Sequence, residues 1–285
     1  FNPFSLRRFN ISNHRKLLVT DETTAMIGGF NVAPQWLGDG LQRGWRDLGL
    51  TLTGALPREL AVSFDAMFGL AEFQHQRFAR LRRTASKRCV VCPQGELLMN
   101  GPGRGFNPIK RALREHLLHA QSVQIIAAYF LPPPRLRRLL ERVARRGGRV
   151  QLILPAKSDV VLLQAATRSL YRRLLRAGIE LHEYTPQILH TKFIRIDDVV
   201  FLGSANLDPR SLGINYDFLV RIPSPALAAE ARQVFAGYLP HCQPIELAAW
   251  RRARSFWIML IERLAFFLFS RIDPFITRQQ LKNFR

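Results

Sequence analysis

Two copies of one short polar pattern, beginning at residues 14 and 190, constrain the fold of this 285-residue chain more than any other feature. The first copy reads HRKLLVTDETTAMIGGFN and the second reads HTKFIRIDDVVFLGSAN. Each has a His and a Lys two positions apart, then an Asp, then a pair of small residues and an Asn. Each also reads as an apolar hairpin, with turns at 21–23 and 197–198. The wide separation of the copies indicates two related halves of one molecule.

The two copies place the same chemical groups at the same positions on strands. Residues i and i+2 of a strand point to the same face, so the His and the Lys of each copy project together. The small residues end the return strands, where they allow a ligand to approach the backbone, and the Asn that follows supplies an amide donor. The repeated positions are His14, Lys16, Asp21, Gly28, Gly29 and Asn31, and then His190, Lys192, Asp197, Gly203, Ser204 and Asn206.

If the two halves meet, one pocket holds two His, two Lys and two Asn, which suits a phosphate diester without a metal or a cofactor. The Lys and Asn groups offset the negative charge that grows on the phosphoryl oxygens. One neutral imidazole attacks phosphorus, and the other, protonated, gives its proton to the leaving alkoxide. The pair Cys89 and Cys92 lacks a second Cys pair and lies in a strand-like run, so we expect no zinc site there.

The segments around the second copy alternate between strand and helix patterns. Helices are predicted at 106–122, from the RLRRLLERVARR run to Gly147, and over 159–178, with strands at SVQIIA, RVQLILP and IELHEY. This alternation predicts an α/β layered fold. Because only thirteen residues precede the first copy, we expect its half to be incomplete at the N-terminus. The predicted units are 1–105 for the first half, 106–245 for the second half and 246–285 for a membrane-associating tail.

The pattern H-x-K-x4-D followed by G-[GS]-x-N, present twice, resembles that of the phospholipase D superfamily. In the second copy one residue fewer separates the Asp from the Gly, which indicates a hairpin shortened at its turn. The resemblance implies two αβα sandwich halves related by a pseudo-twofold repeat. It also implies a reaction through a phosphohistidine, with His14 as the nucleophile and His190 as the acid.

The same resemblance implies a carboxylate on a later strand that steadies each catalytic His. Asp47 stands 33 residues after His14, and Asp217 stands 27 residues after His190, both in strand-like runs. A carboxylate that accepts from one imidazole nitrogen fixes the tautomer and leaves the other nitrogen for phosphorus. The turn residues Asp21 and Asp197 are implied to be structural.

Two further stretches are similar to bacterial cardiolipin synthases: GSANLDPRSLGIN, and the run from AAYFLPPP to PAKSDV. In that subfamily the corresponding segments lie beside the active site, and here both follow strand ends, where crevices form in α/β sheets. The resemblance therefore implies that substrate is contacted by Tyr129, Phe130, Ser158 and Asp159.

The formal charge of +21 predicts a polyanionic partner, either nucleic acid or anionic lipid. The tail predicts an almost wholly apolar helix over 255–272, with a narrow polar stripe that includes Glu262 and Arg263. Such a helix is too short and too charged to span a bilayer, which needs about 20 apolar residues. Flanking Arg residues favour a helix that lies in the membrane interface. In that case, replacing Phe266, Phe267 and Phe269 with Ser should lower membrane association more than it lowers folding stability. The alternative is a helix docked on the core.

Taken together, these features predict a cardiolipin synthase-like phosphatidyl transferase that acts on phosphatidylglycerol. The expected partners are anionic phospholipids and the membrane surface, on the cytoplasmic side of a bacterial inner membrane, and not nucleic acid. Two alternatives stay open: a phospholipase D or nuclease that uses water as the acceptor, and a non-catalytic anion-binding module.

Overall fold

The computed structural model describes residues 12–71, 87–102 and 105–273 of the chain. The strands are β1 (Leu17–Thr20), β2 (Thr24–Gly28), β3 (Gly49–Thr53), β4 (Arg88–Cys92), β5 (Gly95–Asn100), β6 (Ser122–Ala127), β7 (Arg149–Pro155), β8 (Glu180–Tyr184), β9 (Lys192–Ile196), β10 (Val199–Gly203), β11 (Asp217–Pro223) and β12 (Cys242–Pro244). The helices are α1 (Ala55–Ala71), α2 (Pro108–His119), α3 (Pro134–Arg145), α4 (Val161–Arg168), α5 (Tyr171–Arg176), α6 (Pro225–Tyr238), α7 (Leu247–Arg252) and α8 (Phe256–Phe267).

Two sheets organise the described residues. The larger has nine strands in the order β12-β8-β7-β6-β9-β10-β11-β5-β4, and the smaller has the order β1-β2-β3. Strands β6, β7 and β8 are parallel and the rest of the pairs are antiparallel. Each copy of the polar pattern forms a hairpin, β1-β2 or β9-β10, that pairs with a third strand, β3 or β11. The α/β class predicted from the sequence is confirmed.

Strand alternation divides the apolar core between the two faces of the nine-stranded sheet. Ile125 and Leu152 belong to one buried cluster, whereas their neighbours Ile126 and Ile153 belong to the other. Helices α2 to α5 cover the first face. Helix α6, the three-stranded sheet and α1 cover the second. A sheet covered on both faces explains why its central strands read as continuous apolar runs.

Residues 88–100, which lie in the predicted first half, form β4 and β5 and extend the nine-stranded sheet through the pairing of β5 with β11. Strand β5 is almost entirely buried, and an isolated hairpin could not cover it, so it takes its partner from the larger sheet. The single helix expected over 159–178 is two helices, α4 and α5, with a turn at 169–170. The strand predicted around Cys89 is present as β4.

Helix α8, continued by a π-helical turn at Leu268–Ile272, docks on the protein with Glu262 and Ala265 buried. Glu262 is 6% exposed and forms an ion pair with Arg254, in which Oε1 lies 3.0 Å from Nη1. The Arg254 guanidinium in turn lies 3.5 Å from the centroid of the Trp250 ring. Phe266 and Phe269 pack against the first cluster, so the triple Phe replacement predicted above would also damage the core. In the described ranges, no helix is long and apolar enough to cross a membrane.

Replacing Arg254 with Gln is expected to lower the free energy of unfolding by about 1–3 kcal/mol, because it leaves the buried Glu262 carboxylate without its partner. Thermal or urea unfolding measures this loss. The matched control is Arg111→Gln, which breaks the exposed pair Arg111–Glu115 of 2.7 Å and should change the stability much less, because solvent screens an exposed ion pair. Equal losses in the two variants would contradict the docked position of α8.

Candidate active site

His14 lies just before β1 and is held by groups from the other copy of the pattern. Its Nδ1 is 3.0 Å from Oδ1 of Asp217, the first residue of β11. Ser204 donates its hydroxyl to the same carboxylate oxygen at 2.7 Å. The His14 backbone N–H donates to the Tyr216 carbonyl at 2.9 Å. The His14 side chain keeps 26% of its surface exposed, so its ring is fixed through Nδ1 while Nε2 is left to meet a substrate.

His190 is held in the same way but is more deeply buried. Its Nδ1 is 2.9 Å from Oδ2 of Asp47, and its backbone N–H donates to the Arg46 carbonyl at 2.7 Å. Asp47 also accepts from the Leu48 backbone N–H at 2.9 Å, which fixes the carboxylate. The second imidazole is therefore oriented by a carboxylate with a restricted position of its own.

The pairing of His with Asp crosses between the two copies, and the expected pairing within each copy is wrong. Asp217 serves His14, and Asp47 serves His190. Two parallel bridges explain the exchange, one joining Asn13 to Tyr216 and the other joining Arg46 to Leu189. Each bridge lays the segment that leads into one His alongside the segment that leads into the other copy's Asp. Each imidazole is thus complete only when both copies are folded together.

The two lysines share one electrostatic environment. Lys192 is buried, and its Nζ donates to the His190 carbonyl at 2.7 Å and lies 3.0 Å from His190 Nδ1. Burial lowers the pKa of Lys192 to about 8. Burial also lowers the pKa of Lys16, while the carboxylates of Asp217 and Asp47 oppose that shift. Because both carboxylates act on both lysines, the cations of the two copies converge on one site.

Burial, followed by the charge of Lys192, lowers the pKa of His190, while the hydrogen bond to Asp47 opposes this shift. The free His190 imidazole is therefore neutral at pH 7. A bound phosphate diester brings a negative charge that favours the protonated ring. The protonation state of His190 is thus set by the substrate as well as by the protein.

Lys192→Met is expected to stabilise the protein at pH 7 by up to roughly 3 kcal/mol while removing activity. Below pH 8 the lysine is protonated in the folded and unfolded chains alike, so the folded chain bears the full cost of a buried charge. Between about pH 8 and the ordinary lysine pKa of 10.5, the folded chain loses the proton first and the cost is relieved. Urea unfolding from pH 7 to 10 should show the advantage of the variant shrinking as the pH rises. A variant less stable than the wild type at pH 7 would contradict this reasoning.

The glycines of the pattern allow close packing around the carboxylates. A Cβ on Gly29 would lie 2.7 Å from both Asp47 carboxylate oxygens and 2.9 Å from the His190 carbonyl oxygen. A Cβ on Gly28 would lie 2.7 Å from the Leu48 carbonyl oxygen, and one on Gly203 would lie 2.5 Å from the Phe218 carbonyl oxygen. The small residues predicted to admit a ligand therefore make room for the neighbouring backbone and for the Asp47 carboxylate.

The remaining residues of the pattern differ between the copies. Asn206 is buried beside Lys192 at a small cavity, and its Oδ1 has no hydrogen-bond partner among the described residues. Asn31 is exposed on the loop after β2. Asp197 accepts from the Ser122 and Gln121 backbone N–H groups at 2.8 and 3.0 Å, which ties its turn to the start of β6. Asp21 lies in the exposed turn between β1 and β2.

Of the residues expected to contact substrate, one group lies beside His190. Tyr129 donates its hydroxyl to Asp159 at 2.7 Å, and its ring meets the His190 ring edge to face, with centroids 6.3 Å apart. Ser158 lines a small cavity together with Tyr129. Phe130 is 1% exposed and packs in the first apolar cluster, so its predicted substrate contact is wrong.

Sequence reasoning missed two tryptophans in the loop between β2 and β3. The rings of Trp36 and Trp45 lie 5.3 and 5.4 Å from the His190 ring and 4.7 Å from each other. Trp36 also donates its indole N–H to Asp47 Oδ2 at 3.2 Å. The available signal was the GWRD stretch, which carries Trp45 two residues before Asp47. These rings and Tyr129 form an aromatic wall around the His190 imidazole.

The chain is similar to known proteins over most of its length. A family model described as "Cardiolipin synthase, PLD-like domain" matches residues 113–239. Cardiolipin synthase A of Wigglesworthia glossinidia brevipalpis is 24% identical over 92% of this chain and 54% of its own length. Cardiolipin synthase of Geobacillus kaustophilus (strain HTA426) is 30% identical over 75% of this chain and 43% of its own length. The chain thus spans about half the length of the curated relatives it matches.

The fold is also that of a solved relative. The crystal structure of phosphatidylserine synthase from Haemophilus influenzae Rd KW20 superposes with a TM-score of 0.68 at 16% identity, covering 95% of this chain and 71% of that one. The chain thus matches a PLD-like domain over residues 113–239, is similar to the cardiolipin synthases, and shares the fold of the phosphatidylserine synthase structure.

Proposed function

We propose that the protein is a phosphatidyl transferase that forms cardiolipin by moving a phosphatidyl group onto phosphatidylglycerol through a phosphohistidine. The observation that carries the proposal is the pair of crossed His–Asp contacts, which orients two imidazoles with two lysines in one site. Such a site supplies a nucleophile, an acid and charge stabilisation, the three functions that displacement at a phosphate diester requires. The cardiolipin synthase relatives support the choice of phospholipid as substrate.

In the first step, Nε2 of His14 attacks phosphorus and the bond from phosphorus to the first alcohol oxygen breaks. His190 gives its proton to that oxygen, so the alcohol leaves in neutral form. Asp217 stabilises the positive charge that develops on the His14 ring, because it lies against Nδ1 at 3.0 Å. Lys16, Lys192 and the Asn206 amide offset the charge on the phosphoryl oxygens.

In the second step, His190 acts as a base. It takes the proton from a glycerol hydroxyl of phosphatidylglycerol as that oxygen attacks phosphorus, and the bond from phosphorus to the His14 nitrogen breaks. His14 returns to its neutral form and His190 to its protonated form, so both histidines regain the protonation states with which the cycle began.

Transfer competes with hydrolysis, because water could attack the same intermediate. The rings of Trp36, Trp45 and Tyr129 surround the imidazole that would activate the acceptor. Apolar walls of this kind lower the local concentration of water and favour a lipid alcohol as acceptor. Since both substrates are lipids, we place the enzyme at the cytoplasmic face of the bacterial inner membrane, as a peripheral protein.

The test is incubation of the full-length protein with phosphatidylglycerol in mixed micelles, followed by mass analysis of the lipids. Cardiolipin together with free glycerol, and neither product with the His14→Asn variant, is the expected result. Formation of phosphatidic acid without cardiolipin would indicate that the enzyme hydrolyses phosphatidylglycerol and does not transfer the phosphatidyl group. Intact phosphatidylglycerol after prolonged incubation with wild-type protein would overturn the proposal.

A further inference from the structure

The outward surface of α8 is mostly apolar, whereas the outward surface of an ordinary helix at the protein surface is polar. Trp257 and Leu264 are 69% and 60% exposed, and with Ile261 they form an apolar stripe along one side. Glu262 is turned inward to Arg254. A helix that buries its carboxylate and exposes large apolar side chains is stable beside an apolar partner rather than beside water.

Helix α4 packs beside α8 and exposes apolar side chains of its own. Val161 and Leu162, at the start of α4, are 68% and 52% exposed. They follow directly after Asp159, whose carboxylate holds the Tyr129 hydroxyl at 2.7 Å. The apolar surface thus begins at the residues that wall the catalytic His190 and extends outward along α8.

The charges around this surface identify the chemistry of its partner. Arg251, Arg252, Arg263 and Arg271 are exposed on α7, on α8 and in the turn that follows. Between residues 247 and 272 the sequence has one acidic residue, Glu262, and it is buried. A second copy of the chain would bring the same arginines against each other, which disfavours a dimer through this surface. An anionic lipid surface satisfies the apolar stripe and the arginines together.

We propose that the exposed residues of α4 and α8 form a docking surface for a bilayer that contains anionic phospholipid. The apolar side chains enter the boundary between head groups and acyl chains, and the arginines contact the phosphates. This seats the mouth of the site at the level of the head groups. The expected use of the surface, delivery of lipid to the two histidines, rests on the proposed function, whereas the docking itself does not depend on it.

The test is flotation of the full-length protein with vesicles of phosphatidylcholine, prepared with or without phosphatidylglycerol. The docking variant carries Trp257→Gln, Ile261→Gln and Leu264→Gln. Wild-type protein should float with the phosphatidylglycerol vesicles, and the docking variant should partition at least about tenfold less, as expected for losing the burial of three large apolar side chains. The matched control, Phe64→Gln with Phe68→Gln, removes two exposed aromatic side chains from α1 on the opposite face of the sheet and should float like wild type.

Quenching by brominated acyl chains locates the contact within the protein. Wild-type tryptophan fluorescence should be quenched by phosphatidylglycerol vesicles that carry brominated chains, and Trp257→Phe, which keeps an apolar side chain, should remove most of that quenching while flotation persists. Equal flotation of the docking variant, unchanged quenching in Trp257→Phe, or a lipid-free dimer that Leu264→Gln dissociates would overturn the proposal.

Two further measurements separate this inference from the proposed reaction. His14→Asn should float like wild type, because the docking surface does not include the imidazole. The docking variant should keep its turnover in detergent micelles and lose it on vesicles. A wild-type protein that docks but never transfers would refute the proposed function alone, and one that transfers in micelles but never docks would refute this inference alone.

Discussion

His14→Asn is expected to lower phosphatidyl transfer by at least about 10⁴-fold with any phosphodiester, because it removes the nucleophile itself. His190→Asn should lower transfer from a lipid by about 10² to 10⁴-fold, because the departing alkoxide loses its proton donor. With a nitrophenyl phosphodiester, whose leaving group needs no proton, the rate of first-step nitrophenol release by the same variant should fall less than about tenfold. Release of nitrophenol in stopped-flow mixing measures the first step directly.

The control for these variants is His119→Asn, which changes an exposed histidine on α2. This variant should keep wild-type activity on both substrates. If His190→Asn lost as much activity toward the nitrophenyl diester as His14→Asn does, the two imidazoles would not have the separate roles assigned to them.

The crossed contacts predict a second large effect, on the two carboxylates. Asp217→Asn should reduce turnover of lipid and of the nitrophenyl diester alike, by about 10² to 10⁴-fold, because an amide no longer fixes the His14 tautomer or stabilises its positive charge. Asp47→Asn should reduce lipid turnover over a similar range and leave first-step release of nitrophenol from the nitrophenyl diester nearly unchanged, because it acts through His190. The same substrate pair, compared across the four single variants, measures this.

The opposite assignment of the carboxylates, with Asp47→Asn affecting both substrates, would support the pairing within each copy and contradict the contacts of 3.0 and 2.9 Å. Circular dichroism of each variant provides the control for folding. Because Asp217 is fully buried against Ser204, its replacement by Asn is the variant in which a folding defect must be checked first.

The features predicted correctly from the sequence are those encoded by nearby residues. The two hairpins follow from apolar alternation around turns at 21–23 and 197–198, and both turns are present. Helix α3 ends before Gly147, which has a φ of +91° that few other residues tolerate. Strand β4 follows from the apolar run around Cys89. In each case the physical cause lies within a few residues of the feature.

The features that sequence reasoning missed depend on contacts between distant residues. The exchange of Asp47 and Asp217 follows from two backbone bridges that no local pattern reveals. The burial of Glu262 depends on Arg254 and on the surface that α8 meets, so the helical pattern alone placed a polar stripe without saying which way it faced. Trp36 and Trp45 were missed for the same reason, since their partner His190 lies in the other copy.

One imidazole is proposed to carry the phosphatidyl group, and rapid quenching in alkaline denaturant tests this, because the phosphorus–nitrogen bond of phosphohistidine survives in alkali and not in acid. Full-length protein is mixed with a nitrophenyl phosphodiester, quenched within the first turnover and digested, and the peptides are analysed by mass under conditions that preserve phosphohistidine. We expect a covalent adduct on the peptide that contains His14 in the wild-type and His190→Asn proteins, and none in His14→Asn. An adduct on His190 in the His14→Asn protein would reverse the two roles. Complete turnover with no adduct on either histidine would contradict a phosphohistidine mechanism.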